Sequence, residues 1–387
     1  EIDSQKIMLL WVISLFFIIV IYGFTCNNDY DCELLGSCVD NTCQCKPGFT
    51  GLTCGTINLA YAPNPYYGIW PLKDTHDNET CYAWGFSIVY NKKTNMYNGI
   101  VNQGCYNLSD PNQPMVSGAF LINVESEYPY GTFEYVNTVY APSTFNPHII
   151  YDPFEEVYLL FYRTNELTPY PICIGDDMNY GNGTSNLTAF SMDIGVTKDV
   201  NSGEWENYVI TIDNMPETHA SNPSCIILSN GSYVMAYRFN TNNEYVGIAI
   251  SHNSYIGPYY NIANLSTPGE DPFIWEDIND NTFHIIFHVE NGQAYKSWPS
   301  LHAYSTDLYN WNVSKSFDLY GKGAYSTNVT WDNGDITSFY RRERPQLLFD
   351  TNTGHPLYLY TANQENKKPN ETHFGYSYSV VQFVSLS

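Results

Sequence analysis

The side chains best placed to do chemistry in this 387-residue chain stand directly before prolines: Asn146, Asn222, Asp271 and Arg344. Glu270 and Glu343 precede the last two of these. Asp271 and Glu343 are the two carboxylates that could act as an acid and base pair. Asn146 and Asn222 offer directional donors and acceptors, but an amide cannot take a proton from water, so neither is a general base. Trp84 adds an aromatic face suited to stacking on a sugar, and His148 and His302 add two imidazoles. Trp84, Asn146, His148, Asn222, Asp271, His302 and Arg344 together would make a ligand pocket of directional polar groups beside one aromatic face. Neighbours on a regular strand point to opposite faces, so only one of Glu270 and Asp271 is expected to enter it.

For these residues to meet, distant segments must converge, and the sequence repeats in a way that would bring them together. Asn146-Pro147 opens an apolar run through Ile150, turns at Asp152-Pro153 and returns as Val157 to Tyr162. Asn222-Pro223 leads through Leu228 and Asn230-Gly231 to Tyr233–Tyr237. Asp271-Pro272 leads through Trp275, a polar turn and Phe283–His288, and Arg344-Pro345 through Phe349 to Leu357–Tyr360. A looser first copy runs from Trp84-Gly85 to Tyr90 and turns before Met96-Tyr97. The four prolines are 76, 49 and 73 residues apart, so loop lengths vary while the unit persists. Five strand-turn-strand units without a long amphipathic helical pattern predict an all-β chain with a five-bladed β-propeller, whose innermost strands face one shared axis.

Composition narrows the function. Forty acidic and 16 basic residues give a net charge of −24. A nucleic-acid binder needs a basic face, and none is visible, so nucleic acid is excluded as a partner. The uncharged run from Ile7 to Phe24 reads as a membrane anchor, an apolar segment buried in an assembly, or the core of a secretory signal. Ten cysteines behind such a run imply export to an oxidising compartment. Asn-X-Ser/Thr acceptors at Asn78, Asn107, Asn182, Asn186, Asn230, Asn264, Asn312, Asn328 and Asn370 agree with an extracellular or cell-surface glycoprotein. There is no Gly-rich phosphate loop, no Gly-X-Ser-X-Gly elbow and no redox Cys-X-X-Cys, so nucleotide, acyl-transfer and redox chemistry have no support, and no cofactor is expected.

Two resemblances organise the chain. Cys26, Cys32, Cys38, Cys43, Cys45 and Cys54, with Gly48-Phe49-Thr50-Gly51 between the last two, resemble an epidermal growth factor-like module. Counting alone leaves fifteen pairings open; the resemblance implies 26–38, 32–43 and 45–54. Such a short segment needs its disulfides to fold, and it reads as a spacer. Nothing suitable for calcium precedes Cys26, so no metal is expected there. Of the other cysteines, Cys81 and Cys105 are expected to pair across one blade, and Cys173 with Cys225 between neighbouring blades. The division is then 1–25 apolar segment, expected to be helical, 26–54 module, 55–67 connector and 68–387 propeller. Ile57–Tyr61 alternates apolar and polar residues and could close the ring.

The five units, together with Ser251 to Tyr259, His302 to Trp311 and Arg342-Glu343-Arg344-Pro345, resemble the propellers of glycoside hydrolase family 43, in particular its divergent eukaryotic members. That resemblance implies three axial acids: a base, an acid, and a carboxylate that tunes the acid. Inverting hydrolysis needs the working carboxyls about 6.5–9.5 Å apart. Phe86 and Ser87 stand near the base's expected place, and Asn146 and Asn222 stand where carboxylates are expected. Asp271 and Glu343 are the remaining catalytic candidates. A structural calcium on the axis is conceivable but has no support in the sequence. The expectation is a structural, self-assembling surface glycoprotein on a catalytically degenerate propeller, with copies of itself as partners. The alternative is a membrane-anchored or secreted glycan binder or weak glycosidase.

Overall fold

The computed structural model describes residues 24–63, 79–107, 120–140, 144–165, 190–216, 219–240, 243–289, 298–314, 322–364 and 377–387. Among them the chain is all-β apart from one short 3₁₀ turn at Val200–Ser202, and it forms five blades. Blade one is Glu79–Asn91, Met96–Asn107, Phe120–Ser126 and Glu134–Tyr140. Blade two is Thr144–Asp152, Val157–Asn165, Phe190–Thr197 and Glu206–Ile210. Blade three is Ala220–Ile227, Tyr233–Asn240, Glu244–Ser251 and Tyr259–Pro268. Blade four is Glu270–Asp277, Thr282–His288, Ser300–Ser305 and Asn312–Val313, and blade five is Arg341–Phe349, Pro356–Gln364 and Ser377–Phe383. Strands within a blade pair antiparallel in chain order, and the first strand of each blade contacts the first strands of its neighbours around the axis.

The core lies between blades. Leu159, Phe161 and Met192 of blade two pack on Met235, Tyr237 and Tyr259 of blade three. Val234, Ile248 and Val246 of blade three pack on Ile274, Ile285 and Phe287 of blade four. Each such side chain contributes about 1.5–3 kcal/mol on burial, which is why the strands carry apolar residues on both faces. Innermost strands are also stitched by hydroxyls: Ile149 N–H donates to Ser87 Oγ (2.9 Å) and Ile274 N–H to Ser224 Oγ (3.1 Å).

The connector lies along the open edge of blade five. Ala60 N–H donates to the Phe383 carbonyl (2.8 Å), Phe383 N–H to that of Tyr61 (3.1 Å), and Ser385 N–H to that of Asn58 (2.7 Å). This antiparallel pairing removes an exposed edge that would otherwise template aggregation.

The three disulfides of the N-terminal region pair Cys26–Cys38, Cys32–Cys43 and Cys45–Cys54, as fits a module of the epidermal growth factor type. This region is not a spacer. Phe49 stacks on Trp275 of blade four with centroids 6.5 Å apart, inside one buried cluster that also holds Leu35, Ile57, Leu347 and Leu359. Lys46 reaches Asp277 (2.7 Å) and Asp280 (2.5 Å). A segment too small to bury its own apolar groups has buried them on the propeller instead.

Among the described residues Cys225 is a free, fully buried thiol in the blade two–three cluster, without a bridge to any described cysteine. Its side chain points into packed apolar surroundings, and burial pushes its pKa up beyond the usual thiol range. Cys173 lies outside the described residues. Cys81 and Cys105 stand opposite each other in the backbone register of blade one, but their side chains also lie outside the described set. Four acceptor asparagines, Asn230, Asn264, Asn312 and Asn328, are exposed. Asn78, Asn182, Asn186, Asn370 and the side chain of Asn107 lie outside it, as does the apolar run up to residue 23. No helix among the described residues is long and apolar enough to cross a membrane.

Candidate functional site: an axial collar

One backbone irregularity recurs in every blade and builds the site. Gly85, Asn146, Asn222, Asp271 and Arg344 all have left-handed backbones, with φ of 91°, 57°, 53°, 52° and 53°. At each of them the register between first and second strands shifts. Gly, Asn and Asp enter this region at little cost, whereas Arg344 enters it against steric preference. Such strain is characteristic of functional positions. The bulge breaks two-residue alternation, so all five residues line one small opening on the axis with the adjoining Phe86, Pro147, Pro223, Pro272 and Pro345.

This corrects two expectations. Glu270 and Asp271 do not face opposite ways, because Asp271 sits on the bulge and both carboxylates join one buried cluster; of the two, only Asp271 lines the opening, as expected. In blade one the equivalent position is Gly85 rather than Phe86 or Ser87. Phe86 is mostly core, and Ser87 bridges blades lower down the axis.

Of the predicted pocket residues, Asn146, Asn222, Asp271 and Arg344 come together. Asn146 Nδ2 donates to Asn222 Oδ1, and Asn222 Nδ2 donates to Asp271 Oδ1. Arg344 Nε lies 3.9 Å from Asp271 Oδ2, beyond hydrogen-bonding reach. Asn146 Oδ1, Asp271 Oδ2 and Arg344 Nε are buried without a hydrogen-bond partner. Buried polar atoms are rarely left in this state unless something else completes them.

The other three stand elsewhere. Trp84 is buried at 4% exposure with the Arg341 guanidinium 5.4 Å from its ring centroid, so that face is already covered. His148 lies farther along the axis, where Nε2 meets the Cys225 carbonyl (3.0 Å) and Nδ1 meets Gln346 Oε1 (3.3 Å). It lines a separate cavity of roughly 610 Å³ walled by Ile150, Phe273, Trp275 and Phe349. Burial lowers its pKa to about 4, so the ring is neutral at physiological pH. His302 is on the third strand of blade four, within the contact to the N-terminal module, where Nδ1 meets Glu33 Oε2 at 2.8 Å.

Around the collar runs a shell of ions that sequence reasoning largely missed. Arg238 Nη1 pairs with Glu270 (2.5 Å) and Glu244 (2.7 Å). His288 lies 3.6 Å from both Glu270 and Glu343, and Arg341 pairs with Glu343 at 2.5 Å. A signal for part of this existed: Tyr162-Arg163 and Tyr237-Arg238 recur at the same place in the second strands of blades two and three. Arg342, by contrast, is fully buried among neutral acceptors on Thr361, Ser326, Asn328 and Gln382.

The shell sets the charge states. Burial pushes the Asp271 carboxyl up to about 6 against the pull of Arg344, with Glu270 and Glu343 adding to the rise. Burial would also raise Glu270, but the neighbouring His288 ring and the Arg238 guanidinium outweigh it and hold the carboxyl well below the usual range. Burial would lower His288, but the Glu343 and Glu270 carboxylates outweigh it and lift the imidazole to about 9. A raised folded pKa contributes stability that is complete below the unfolded value near 6.5 and is lost as pH climbs through the folded one. The melting temperature is therefore expected to fall between pH 6.5 and 9, with a loss on the order of 3 kcal/mol. His288→Gln should flatten that limb; an unchanged slope in the variant would assign it to other groups.

Glu270, Asp271, His288 and Glu343 each offer a ligand atom within 4.8 Å of the others. The set does not suit calcium, which takes six to eight oxygens; here Glu270 and Glu343 are already paired with arginines and one donor is an imidazole. The same closeness bears on hydrolysis. Carboxylate oxygens within 4.8 Å do not leave the gap that the water of inversion requires, and such a spacing is nearer the roughly 5–5.5 Å of a retaining pair.

No protein-family model matches the sequence, and no curated protein matches it. Similarity appears at the level of structure. A family 117 glycoside hydrolase from the marine bacterium Zobellia galactanivorans superposes with a TM-score of 0.55 at 12% identity, over 84% of this chain and 91% of that one. An exo-β-1,3-galactanase from Phanerochaete chrysosporium, solved with galactose, gives 0.51 at 13% identity over 83% of this chain and 64% of its own. An exo-β-1,3-galactanase from Clostridium thermocellum gives 0.50 at 13% over 82% and 62%. The chain thus spans less than two thirds of either galactanase. It shares the five-bladed fold of glycosidase propellers. At these identities the likeness establishes fold alone, and the chemistry must be read from the collar.

Proposed function

We propose that this protein is a carbohydrate-binding propeller of glycosidase type that holds a sugar at its axial collar without cleaving it. The observation that carries this reading is the pair of buried acceptors, Asn146 Oδ1 and Asp271 Oδ2, that face the opening with no donor. A sugar hydroxyl is the natural donor to each. Amides at Asn146 and Asn222 stand where the resemblance to glycosidases puts two of the working carboxylates, and of the remaining acids Glu270 and Glu343 are bound to arginines. The fold shared with glycosidases supports a carbohydrate ligand, and the three disulfides suit an exported protein.

The test is calorimetric titration of the protein with arabinan, xylan, fructan and galactan oligosaccharides, alongside a reducing-end assay on the same substrates. Binding without product release is expected, with Asn146→Ala weakening affinity about tenfold, the usual effect of one buried hydrogen bond. Steady sugar release abolished by Asp271→Asn would overturn the non-catalytic part of the reading.

A second reading, a self-assembling surface glycoprotein, draws on exposed aromatics such as Tyr61, Tyr128, Tyr260, Tyr309 and Tyr340. Tyrosine gives large contact area at low entropic cost. Electron microscopy of native material extracted without detergent distinguishes filaments or sheets from single particles.

A further inference from the structure

We propose that the cavity at the far end of the axis is a second binding site, for a protonated amine on an apolar body whose ammonium Glu276 holds. The cavity lies along the later halves of the innermost strands, toward the turns that end them, so it is distinct from the collar and independent of the carbohydrate reading. Its volume, roughly 610 Å³, is that of a small-molecule pocket. Five positions on from the left-handed collar residues stand Tyr90, Tyr151, Ile227, Glu276 and Phe349. All but Tyr90 line the cavity, so its mouth is an apolar and aromatic layer interrupted by one carboxylate. Farther in, Phe349 stacks on Phe273 and Trp275, with centroids 6.5 and 5.8 Å away. His148, neutral and engaged with the Cys225 carbonyl, adds no charge to the inner wall.

Glu276 is half-buried, and among the described residues no hydrogen-bond donor and no cation meets its carboxylate. Burial by itself raises its pKa, with no charge acting on it. A carboxylate partly stripped of water and left without a partner favours a cation beside it. The other charges around the mouth are already engaged. Asp350 commits Oδ1 to the backbone N–H groups of Asn352 (2.9 Å) and Thr353 (2.8 Å). Lys46 holds Asp277 and Asp280, and Lys92 Nζ lies 4.6 Å from the Tyr151 ring centroid. Among the described residues no lysine or arginine lines the cavity.

Walls and charge together decide the class of ligand. An anion would face Glu276, and a neutral apolar guest would leave that carboxylate uncompensated. A metal ion would find too few oxygens. An ammonium on an apolar body meets both demands: its N–H groups donate to Glu276, its charge suits the face of Phe349, and its body replaces water against the apolar walls.

The experiment is calorimetric titration of the full chain with three probes that share an indole body: tryptamine (cationic), tryptophol (neutral) and indole-3-propionate (anionic). Tryptamine is expected to bind about tenfold or more tighter than tryptophol, as a charge-assisted hydrogen bond implies, and the acid weakest. Glu276→Gln, nearly isosteric, should bring tryptamine and tryptophol to equal affinity, and Glu276→Lys should reverse the order of amine and acid. Both variants should melt with the wild type, because Glu276 has no partner to lose. Ile150→Trp, which fills the cavity, should weaken all three probes about tenfold or more; the Glu276 variants decide the matter where that one fails to fold. Equal affinities for tryptamine and tryptophol, or a preference that survives Glu276→Gln, would overturn the proposal. Failure of all three to bind, as when the chain's own apolar run from Ile7 to Phe24 fills the space, would overturn it too.

Discussion

Arg238→Met is expected to cost about 3–5 kcal/mol of stability at neutral pH, the range seen when one partner of a buried ion pair is removed. Arg238 joins three groups: Nη1 holds Glu270 and Glu244, and Nε donates to Ser221 Oγ at 2.9 Å. Methionine fills much of the volume, so the loss reports uncompensated charge rather than a cavity. The pH dependence distinguishes the two. Glu270 has a depressed folded pKa, so its contribution is present above the unfolded value near 4.3 and is lost as pH falls through the folded one. Without Arg238 that carboxyl titrates higher, and the deficit relative to wild type should shrink as pH falls from 7 to 4. Urea unfolding at the two pH values measures this. Equal deficits at both would trace the loss to packing and remove the charged shell from the account of the collar.

Glu33→Ala is expected to destabilise the protein by about 3 kcal/mol and to release the N-terminal module from blade four, because three buried donors lose their acceptor at once. Glu33 is 2% exposed. Its Oε1 accepts from Thr53 (2.7 Å) and Ser314 (2.6 Å), and its Oε2 meets His302 Nδ1. From His302 the chain of hydrogen bonds continues to His284 (3.1 Å), Thr282 (2.8 Å) and Asp280 (2.6 Å), which Lys46 of the module also holds. Trp275 stacks on both imidazoles and on Phe49, so polar and apolar contacts share one interface. Thermal denaturation with limited proteolysis of the 24–57 segment reads both effects. Glu33→Gln, which keeps one acceptor, should fall between wild type and alanine. A variant with early cleavage and an unshifted melting point would show that the module docks without supporting the propeller.

The collar illustrates what could be read locally. A polar residue before proline, repeated in register with an apolar strand and a return strand, marks positions that a propeller must bring to one axis. Asn146, Asn222, Asp271 and Arg344 do meet there. Glu270 stays off the opening as expected, but it shares a cluster with Asp271 because strand alternation holds only where the register is unbroken, and here a left-handed residue interrupts it in every blade. Trp84 and His302, by contrast, were misplaced. An exposed-looking aromatic or imidazole takes its role from the partner that covers it, and those partners, Arg341 and Glu33, lie more than two hundred residues away in the chain.

By itself the sequence determined the blade count and the all-β class, since each follows from residue type and short-range period. Tertiary structure alone decided which side of each strand the collar residues face, how the carboxylates are compensated, and where the cysteine-rich module sits. Those outcomes depend on ring closure, which sets the register and brings Lys46 to Asp277 and Asn58 to Ser385. Charge compensation depends on distances in space, and spacing along the chain does not encode them until the ring is closed.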